Sequence, residues 1–267
     1  MSTTFDKMTG EQRLTAVNVD LANHKTFAIM SGVACVGKNE IVPDEVCSTA
    51  GTNGRDCIYG HDFLMGLTRK QLRFVVLHES FHKALRHCSE YQEICKREPK
   101  ASNIAMDYVV NDVIHSLTDY GKWIVLPKIA LWDVKFRGWS VRDVYNFLKK
   151  GKDKDGKQHE RKEKPQSGQG QPQQGTGDKQ DKPEQPNQPG DVEIDGKTYK
   201  LETHDEHDHE AAGQADANEV EEVVKQVDEA MRQSSIMAGV LGANVPQAIK
   251  EALAVPVDWN EGMAEFV

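Results

Sequence analysis

The stretch from Leu77 to His87 holds two histidines and a glutamate at a spacing that suits metal-assisted hydrolysis. Its sequence is LHESFHKALRH, so His78 and His82 stand four positions apart and Glu79 follows the first histidine. On a helix, residues i and i+4 share one face with side chains about 6 Å apart, so both imidazoles can reach one ion. This H-E-x-x-H pattern predicts Zn²⁺, which imidazole binds at about 2.0–2.1 Å. The alternative is a pair of packed or exposed histidines without metal.

Glu79 is positioned for proton transfer rather than for metal binding. On a helix its side chain is rotated about 100° from that of His78, so its carboxylate should stand beside the ion. Zinc lowers the pKa of a bound water towards 7, and a neighbouring carboxylate can take the proton as the water attacks a carbonyl. The motif therefore predicts attack of zinc-bound water on a carbonyl, with Glu79 as the catalytic base.

The motif supplies two ligands, and a third must come from elsewhere. The extended pattern H-E-x-x-H-x-x-G-x-x-H would need glycine and histidine where this chain has Leu85 and Cys88. His87 would point about 140° away from the ligand face on a continuous helix, so it can bind only if the helix ends first.

A better third ligand lies in 103-NIAMDYVVNDVIHS-116. Asp107 and Asn111 are four positions apart, and their apolar neighbours predict a largely buried helix. A buried aspartate needs a partner, and a metal ion is a suitable one. We expect Asp107 to complete a His-His-carboxylate site and Asn111 to support it through hydrogen bonds. The alternative for Asp107 is a structural salt bridge or an acceptor for His78 or His82.

Two further residues of this helix could assist catalysis. Tyr108 and His115 can each donate a hydrogen bond to a tetrahedral oxyanion, although such side chains also commonly just pack. A second histidine cluster, 204-HDEHDHE-210, has no apolar frame around it, so we expect a solvated tract rather than a second metal site.

Capping boxes and apolar periodicity predict the helices that position these residues. Thr9-x-x-Gln12 and Thr68-x-x-Gln71 each have capping-box form, and the second opens the helix that carries the motif. Further helices are predicted from about Ser102 to Leu117 and from near Ser140.

Two short strands are predicted, 26-TFAIMSG-32 and 55-RDCIYG-60, with mostly loop over 33–54. The second strand is a candidate edge for pairing with an extended peptide substrate.

Composition disfavours nucleic-acid binding, membrane insertion and secretion. The net charge is −9 and the pI is near 5.6, which disfavours binding to nucleic acid because no basic excess is available for phosphates. The sequence lacks an apolar run of 18 residues and a secretory signal at its start, so we expect a cytoplasmic protein without a membrane segment. Five cysteines without a C-x-x-C pair agree with reduced thiols.

The chain divides into three parts. Residues 1–150 should form the domain with the metal site. Residues 151–217 are predicted to be a disordered polar linker, because no aliphatic or aromatic residue occurs from Lys149 to Asp191. Residues 218–267 should be helical, beginning with an amphipathic helix whose apolar stripe runs from Val220 to Met231. Gly239 and Gly242 should break this helix, and a shorter helix from Pro246 to about Ala254 should follow. A protein partner could dock through these C-terminal helices.

Four stretches of the chain resemble a known family, the metallopeptidase domain of bacterial and phage proteins whose longer members end in a von Willebrand factor A-like domain. The matching stretches are 54-GRDCIYGHDFLMGLT-68, 77-LHESFHKALRH-87, 103-NIAMDYVVND-112 and 138-GWSVRDVYNFL-148. The stretch 256-PVDWNEGMAEFV-267 is similar to the entry into that further domain, which we expect to be missing here.

The resemblance implies an α+β, mainly helical, zincin-like fold and a zinc-dependent peptidase that acts on peptide or protein substrates. It implies metal binding by His78, His82 and Asp107, and catalysis by Glu79. The alternative function is a non-enzymatic interaction module, either zinc-containing or metal-free. A catalytic site would keep its fourth coordination position open, whereas a structural site would close it with a fourth protein ligand.

Overall fold

The computed structural model describes residues 4–117, 120–163, 192–199, 217–240, 242 and 250. Helices dominate these residues and short strands form two sheets, which confirms the expected α+β, mainly helical class. The helices are α1 (Gly10–Ala22), α2 (Ala28–Ala34), α3 (His61–Gly66), α4 (Arg69–Ala84), α5 (His87–Glu90), α6 (Gln92–Arg97), α7 (Pro99–His115), α8 (Val141–Lys150) and α9 (Ala217–Val240). The strands are β1 (Asn39–Val42), β2 (Ala50–Thr52), β3 (Cys57–Gly60), β4 (Arg161–Glu163), β5 (Val192–Ile194) and β6 (Lys197–Tyr199).

Helix α4 carries the H-E-x-x-H motif through the interior. The hydroxyl of Thr68 accepts a hydrogen bond from the backbone N–H of Gln71, and the Gln71 side chain accepts one from the backbone of Thr68. The capping box predicted here is therefore confirmed. Every residue from 74 to 84 is buried, as expected of a helix that is surrounded by other elements. Its neighbours include α1, α2, α7 and β2.

The first sheet has the order β1-β3-β2, with β1 parallel and β2 antiparallel to β3. The strand predicted over 55–60 is confirmed as β3. Its proposed role as an edge strand for a substrate is wrong, because β3 is the central strand and both of its sides are already paired. The edges belong to β1 and β2, which arise from the stretch 33–54 that was predicted to be mostly loop.

The strand predicted over 26–32 is also wrong, because the chain forms α2 there. A short apolar run does not distinguish a buried strand from a buried helix, so tertiary packing decides. Helix α2 packs against α1, α4 and α9. A Cβ atom added at Gly32 would stand 2.2 Å from Oγ of Ser234, so this glycine permits the close approach of α9.

Helices α7 and α8 pack together and enclose a second apolar core. Helix α8 begins after Ser140, as the sequence predicts, and the Ser140 side chain caps it. The second sheet has the order β4-β5-β6 and is antiparallel throughout. Its side chains Val192, Ile194 and Tyr199 are buried in the second core.

This second sheet lies inside the range 151–217, which the sequence predicts to be a disordered linker. Residues 161–163, 192–194 and 197–199 form strands, because the buried side chains of β5 and β6 supply the apolar contact that ordering requires. Residues 164–191 and 200–216, including the 204–210 histidine cluster, lie outside the described residues. For them the linker remains a prediction, as does the division into three domains.

Helix α9 includes the apolar stripe predicted after the linker. Val227, Ala230 and Met231 pack against the core that contains α1, α2 and α4. The helix continues past Gly239 and ends at Val240, and the helix predicted over 246–254 lies outside the described residues. Within the described part of the chain, no helix combines the length and apolar character needed to cross a membrane.

Candidate metal centre

Helices α4 and α7 cross so that three side chains converge at one point. Nε2 of His78 and Nε2 of His82 lie 3.1 Å apart. Oδ1 of Asp107 lies 3.6 Å from the first of these nitrogens and 3.4 Å from the second. The side chains of all three residues are at most 4% exposed. The structure therefore brings together the three ligands predicted from the sequence.

The far nitrogen of His78 is held by Asn111. Nδ1 of His78 lies 2.8 Å from Oδ1 of Asn111, and Nδ2 of Asn111 donates to the carbonyl of Leu131 at 2.7 Å. The second bond fixes the orientation of the amide, so its oxygen faces the imidazole. An amide oxygen can only accept a hydrogen bond. Nδ1 of His78 must therefore carry the hydrogen, and Nε2 keeps its lone pair.

The far nitrogen of His82 meets His87. Helix α4 ends at Ala84, and Arg86 then adopts a left-handed backbone with φ 55° and ψ 33°. This turn brings Nδ1 of His87 to 3.1 Å from Nδ1 of His82. The helix therefore ends before His87, which was the condition for His87 to reach this site. However, His87 contacts the nitrogen of His82 that faces away from Asp107, so it is placed to orient His82.

Glu79 lies beside the converging ligands and is 1% exposed. Together with His78 it lines a narrow cleft of about 20 Å³, roughly the space of one water molecule. The cleft is otherwise walled by apolar residues of α3, α4 and the segment after Leu126: Phe63, Phe74, Val75, Pro127, Ile129 and Ala130. Behind Glu79 lies β3, where burial raises the pKa of Cys57 and of Tyr59 and the charge of Glu79 raises both further. Both neighbours are therefore neutral at pH 7.

Tyr108 and His115 lie in aromatic packing. The ring of Tyr108 is 4.7 Å from that of Phe136, and burial raises its pKa well above the ordinary value. The ring of His115 stacks 3.9 Å from Trp132, and burial lowers its pKa. His115 is also about 12 Å along α7 from Asp107. The expectation that either donates to an oxyanion remains a prediction.

Two parts of the site were not found from the sequence. The left-handed residue after α4 is an arginine, whereas glycine or asparagine would have signalled such a turn. The segment 127–131, which walls the cleft and accepts the hydrogen bond from Asn111, contains no titratable group apart from Lys128. Its only local signal is Pro127, which marks a turn.

The donor set fits zinc. Four ligands at about 2.0–2.1 Å in a tetrahedron lie about 3.3 Å from one another, and the three separations at this site, 3.1, 3.4 and 3.6 Å, are close to that value. Imidazole nitrogens and carboxylate oxygens are also among the donors that bind zinc in proteins. Among the described residues, the groups that could hold an ion reduce to this one triad.

Comparison with known proteins agrees with this geometry. The family described as "putative metallopeptidase domain" matches residues 11–267, a range that includes the triad, the segment 151–217 and α9. No curated protein and no solved structure matches the chain. The family match covers nearly the whole sequence, and it confirms the resemblance carried by the four stretches around the triad. The chain belongs to the putative metallopeptidase domain family.

Proposed function

We propose that the protein is a zinc-dependent peptidase of zincin-like fold that acts on peptide or protein substrates in the cytoplasm. His78, His82 and Asp107 would hold the ion, and Glu79 would act as the base. The observation that carries the proposal is the convergence of the three ligand atoms at separations of 3.1–3.6 Å, directly beside a buried glutamate. The net charge of −9 argues against nucleic acid as a substrate.

The number of protein ligands favours catalysis. Structural zinc sites are closed by four protein ligands, whereas catalytic sites have three and keep one position for water or substrate. The triad supplies three donors among the described residues. A substrate would approach through the narrow cleft that His78 and Glu79 line.

When bound, zinc would supply Lewis-acid polarisation of the substrate carbonyl and would acidify a water molecule. Glu79 accepts the proton of the attacking water on its carboxylate and delivers it to the leaving amine. Asn111 and His87 hold the two imidazoles so that both Nε2 atoms face the same point. The apolar walls of the cleft exclude bulk water, which strengthens the electrostatic interactions of Glu79.

The burial of the site means that the cleft must open before a substrate can enter. The side chains that would perform the chemistry are at most 4% exposed, so a peptide bond can reach them only if the cleft widens. Its outer wall is the segment 127–130, where Ile129 is 42% exposed. This wall contains no regular helix or strand and is the part of the cleft best able to yield.

The decisive experiment combines metal analysis with one conservative substitution. Purified protein should contain about one zinc per chain, and His78→Ala combined with His82→Ala should abolish it. Glu79→Gln should retain zinc and lose hydrolysis of a broad peptide library by at least about 100-fold. Metal-free wild-type protein with an intact fold would overturn the proposal.

The burial of the site supports a second candidate, a non-enzymatic module with structural zinc. In that case the triad would bind zinc, but wild type would cleave no peptide and Glu79→Gln would change neither zinc content nor stability beyond the effect of the substitution itself. The same pair of measurements therefore separates the two candidates.

A further inference from the structure

Helix α9 is connected to the metal centre through a short series of contacts that begins at Asp228. The guanidinium of Arg86 lies 3.0 Å from both carboxylate oxygens of Asp228. Arg86 immediately precedes His87, and His87 contacts the far nitrogen of His82. Three consecutive steps therefore lead from a helix near the end of the described chain to one of the predicted zinc ligands.

The contact between His87 and His82 depends on the backbone conformation of Arg86, the residue before His87. A left-handed conformation is unfavourable for a residue with a Cβ, and it persists only where the surroundings hold it. At Arg86 the carbonyl accepts from the backbone N–H groups of Ser89 and Glu90, at 3.0 and 2.9 Å. The ion pair with Asp228 holds the side chain of the same residue. If Arg86 relaxes to an ordinary helical backbone, α4 continues and His87 points about 140° away from the ligand face.

Helix α9 reaches this position because its middle and its C-terminal part are docked on the body of the protein. The backbone N–H of Gly32 donates to Oγ of Ser234 at 2.9 Å, and Val227 is buried in the main core. The first turns of α9 lie over a cavity of about 320 Å³, which is lined by Lys83, Arg86 and Cys88 among others on one side and by α9 residues between Glu219 and Val227 on the other. The Arg86–Asp228 pair bridges the body and α9 at the edge of this cavity.

We propose that docking of α9 sets the zinc affinity of the site, with Asp228, Arg86 and His87 as positioning residues for His82. The proposal rests on the zinc site proposed above and adds a regulatory element to it. His87 accepts the Nδ1 hydrogen of His82 and so keeps Nε2 turned towards the ion. Any partner or modification that lifts α9 would release Arg86, loosen His82 and weaken the metal site.

The test measures zinc affinity of the full chain by competition with a chromophoric chelator. His87→Ala should weaken zinc binding about 10–100-fold, the usual cost of losing a partner of a metal-bound histidine. His87→Gln should recover part of the loss, because its amide oxygen can accept the same hydrogen. Asp228→Ala should weaken binding in the same direction by a smaller factor. Glu229→Ala is the matched control, because Glu229 pairs with Arg232 on α9 itself.

A second pair of variants acts on α9 without touching any residue of the series. Gly32→Ala would force α9 away from α2, since the added Cβ would stand 2.2 Å from Ser234 Oγ and 2.6 Å from the Ala230 carbonyl. Gly239→Ala is its control, since a Cβ there meets no heavy atom within 4 Å. Gly32→Ala should lower zinc affinity and Gly239→Ala should not.

The absorption of Co²⁺ substituted for zinc gives a readout that a merely structural role would not change. Asp228→Ala should alter the visible Co²⁺ spectrum, as His87→Ala does, while Glu229→Ala leaves it unchanged. Wild-type affinity and spectrum in both Asp228→Ala and Gly32→Ala would overturn the coupling and leave the zinc peptidase intact. Failure of wild type itself to bind zinc would overturn the proposed function, and the coupling with it.

Discussion

Asn111 bonds His78 across the α4–α7 interface, with its Oδ1 2.8 Å from the imidazole Nδ1. Its Nδ2 donates at 2.7 Å to the carbonyl of Leu131, so one side chain joins the metal centre to the wall of the cleft. Asn111→Ala removes both bonds and leaves the buried Nδ1–H of His78 without this acceptor. We expect zinc affinity to fall about 10–100-fold, measured by chelator competition.

Asn111→Asp separates the two functions of this amide. The carboxylate still accepts from His78 but cannot donate to Leu131, so zinc should be retained while the segment 127–131 loosens. Hydrogen exchange of the backbone amides in that segment should then accelerate. Ser116→Ala is the control on the same helix, because its hydroxyl donates to the carbonyl of Val113 within α7. Equal zinc affinity in Asn111→Ala and Ser116→Ala would contradict the orienting role of Asn111.

Ile129 tests whether the cleft beside Glu79 is the substrate route. It is 42% exposed and lines the cleft. Ile129→Trp should fill the entrance and lower kcat/KM for peptide hydrolysis about 10-fold or more, with unchanged zinc content. Val134→Trp places the same side chain at a 58% exposed position beyond the cleft and should be neutral. Equal losses in the two variants would argue for another route to the site.

The metal centre was predictable because its signals are local. The capping box at Thr68 fixes the start of α4, and the i, i+4 spacing then places His78 and His82 on one face regardless of the rest of the fold. Asp107 was predictable for a different reason, since a carboxylate in an apolar helix must find a partner. Sequence spacing alone could not give the crossing of α4 and α7, which sets the 3.4 and 3.6 Å separations.

The parts that could not be predicted depend on tertiary contacts. The run from 26 to 32 is apolar in any secondary structure, and it becomes α2 because α1, α4 and α9 surround it. The left-handed turn at Arg86 is held by its contacts rather than by a residue that prefers that conformation. The place of β3 in its sheet follows from two edge strands that came from a stretch rich in turn residues.

His159 should make the stability of the second core depend on pH. Its ring nitrogens lie 2.7 Å from Asp153 and 2.5 Å from Asp195, and hydrogen bonds to these two carboxylates raise its pKa, while the charge of Lys135 opposes the shift. A histidine whose pKa is higher in the folded than in the unfolded protein stabilises the fold. This stabilisation is fully present at pH values below the unfolded-state pKa of about 6.5, and it is lost as the pH rises through the folded-state pKa.

The measurement is urea unfolding of wild type and of His159→Gln from about pH 5.5 to pH 9, a range that spans the ordinary histidine pKa. The difference between their midpoints should be largest at the acidic end and should shrink as pH rises. Taking this difference cancels the titration of the metal-site histidines, which both proteins share. A difference that stays constant over the whole range would show that His159 contributes through packing alone.

Phe147 tests whether the strands formed from the predicted linker belong to the folded body. It is fully buried on α8, with its ring 5.6 Å from that of Tyr199 on β6 and 5.7 Å from that of Phe136. Phe147→Ala should reduce the free energy of unfolding by about 3–5 kcal/mol, the usual cost of a large cavity. It should also speed proteolysis within residues 192–199, because β5 and β6 lose the surface on which they pack. Val19→Ala, at a 55% exposed position on α1, should do neither. Faster global unfolding without earlier cleavage at 192–199 would mean that the second sheet does not depend on α8.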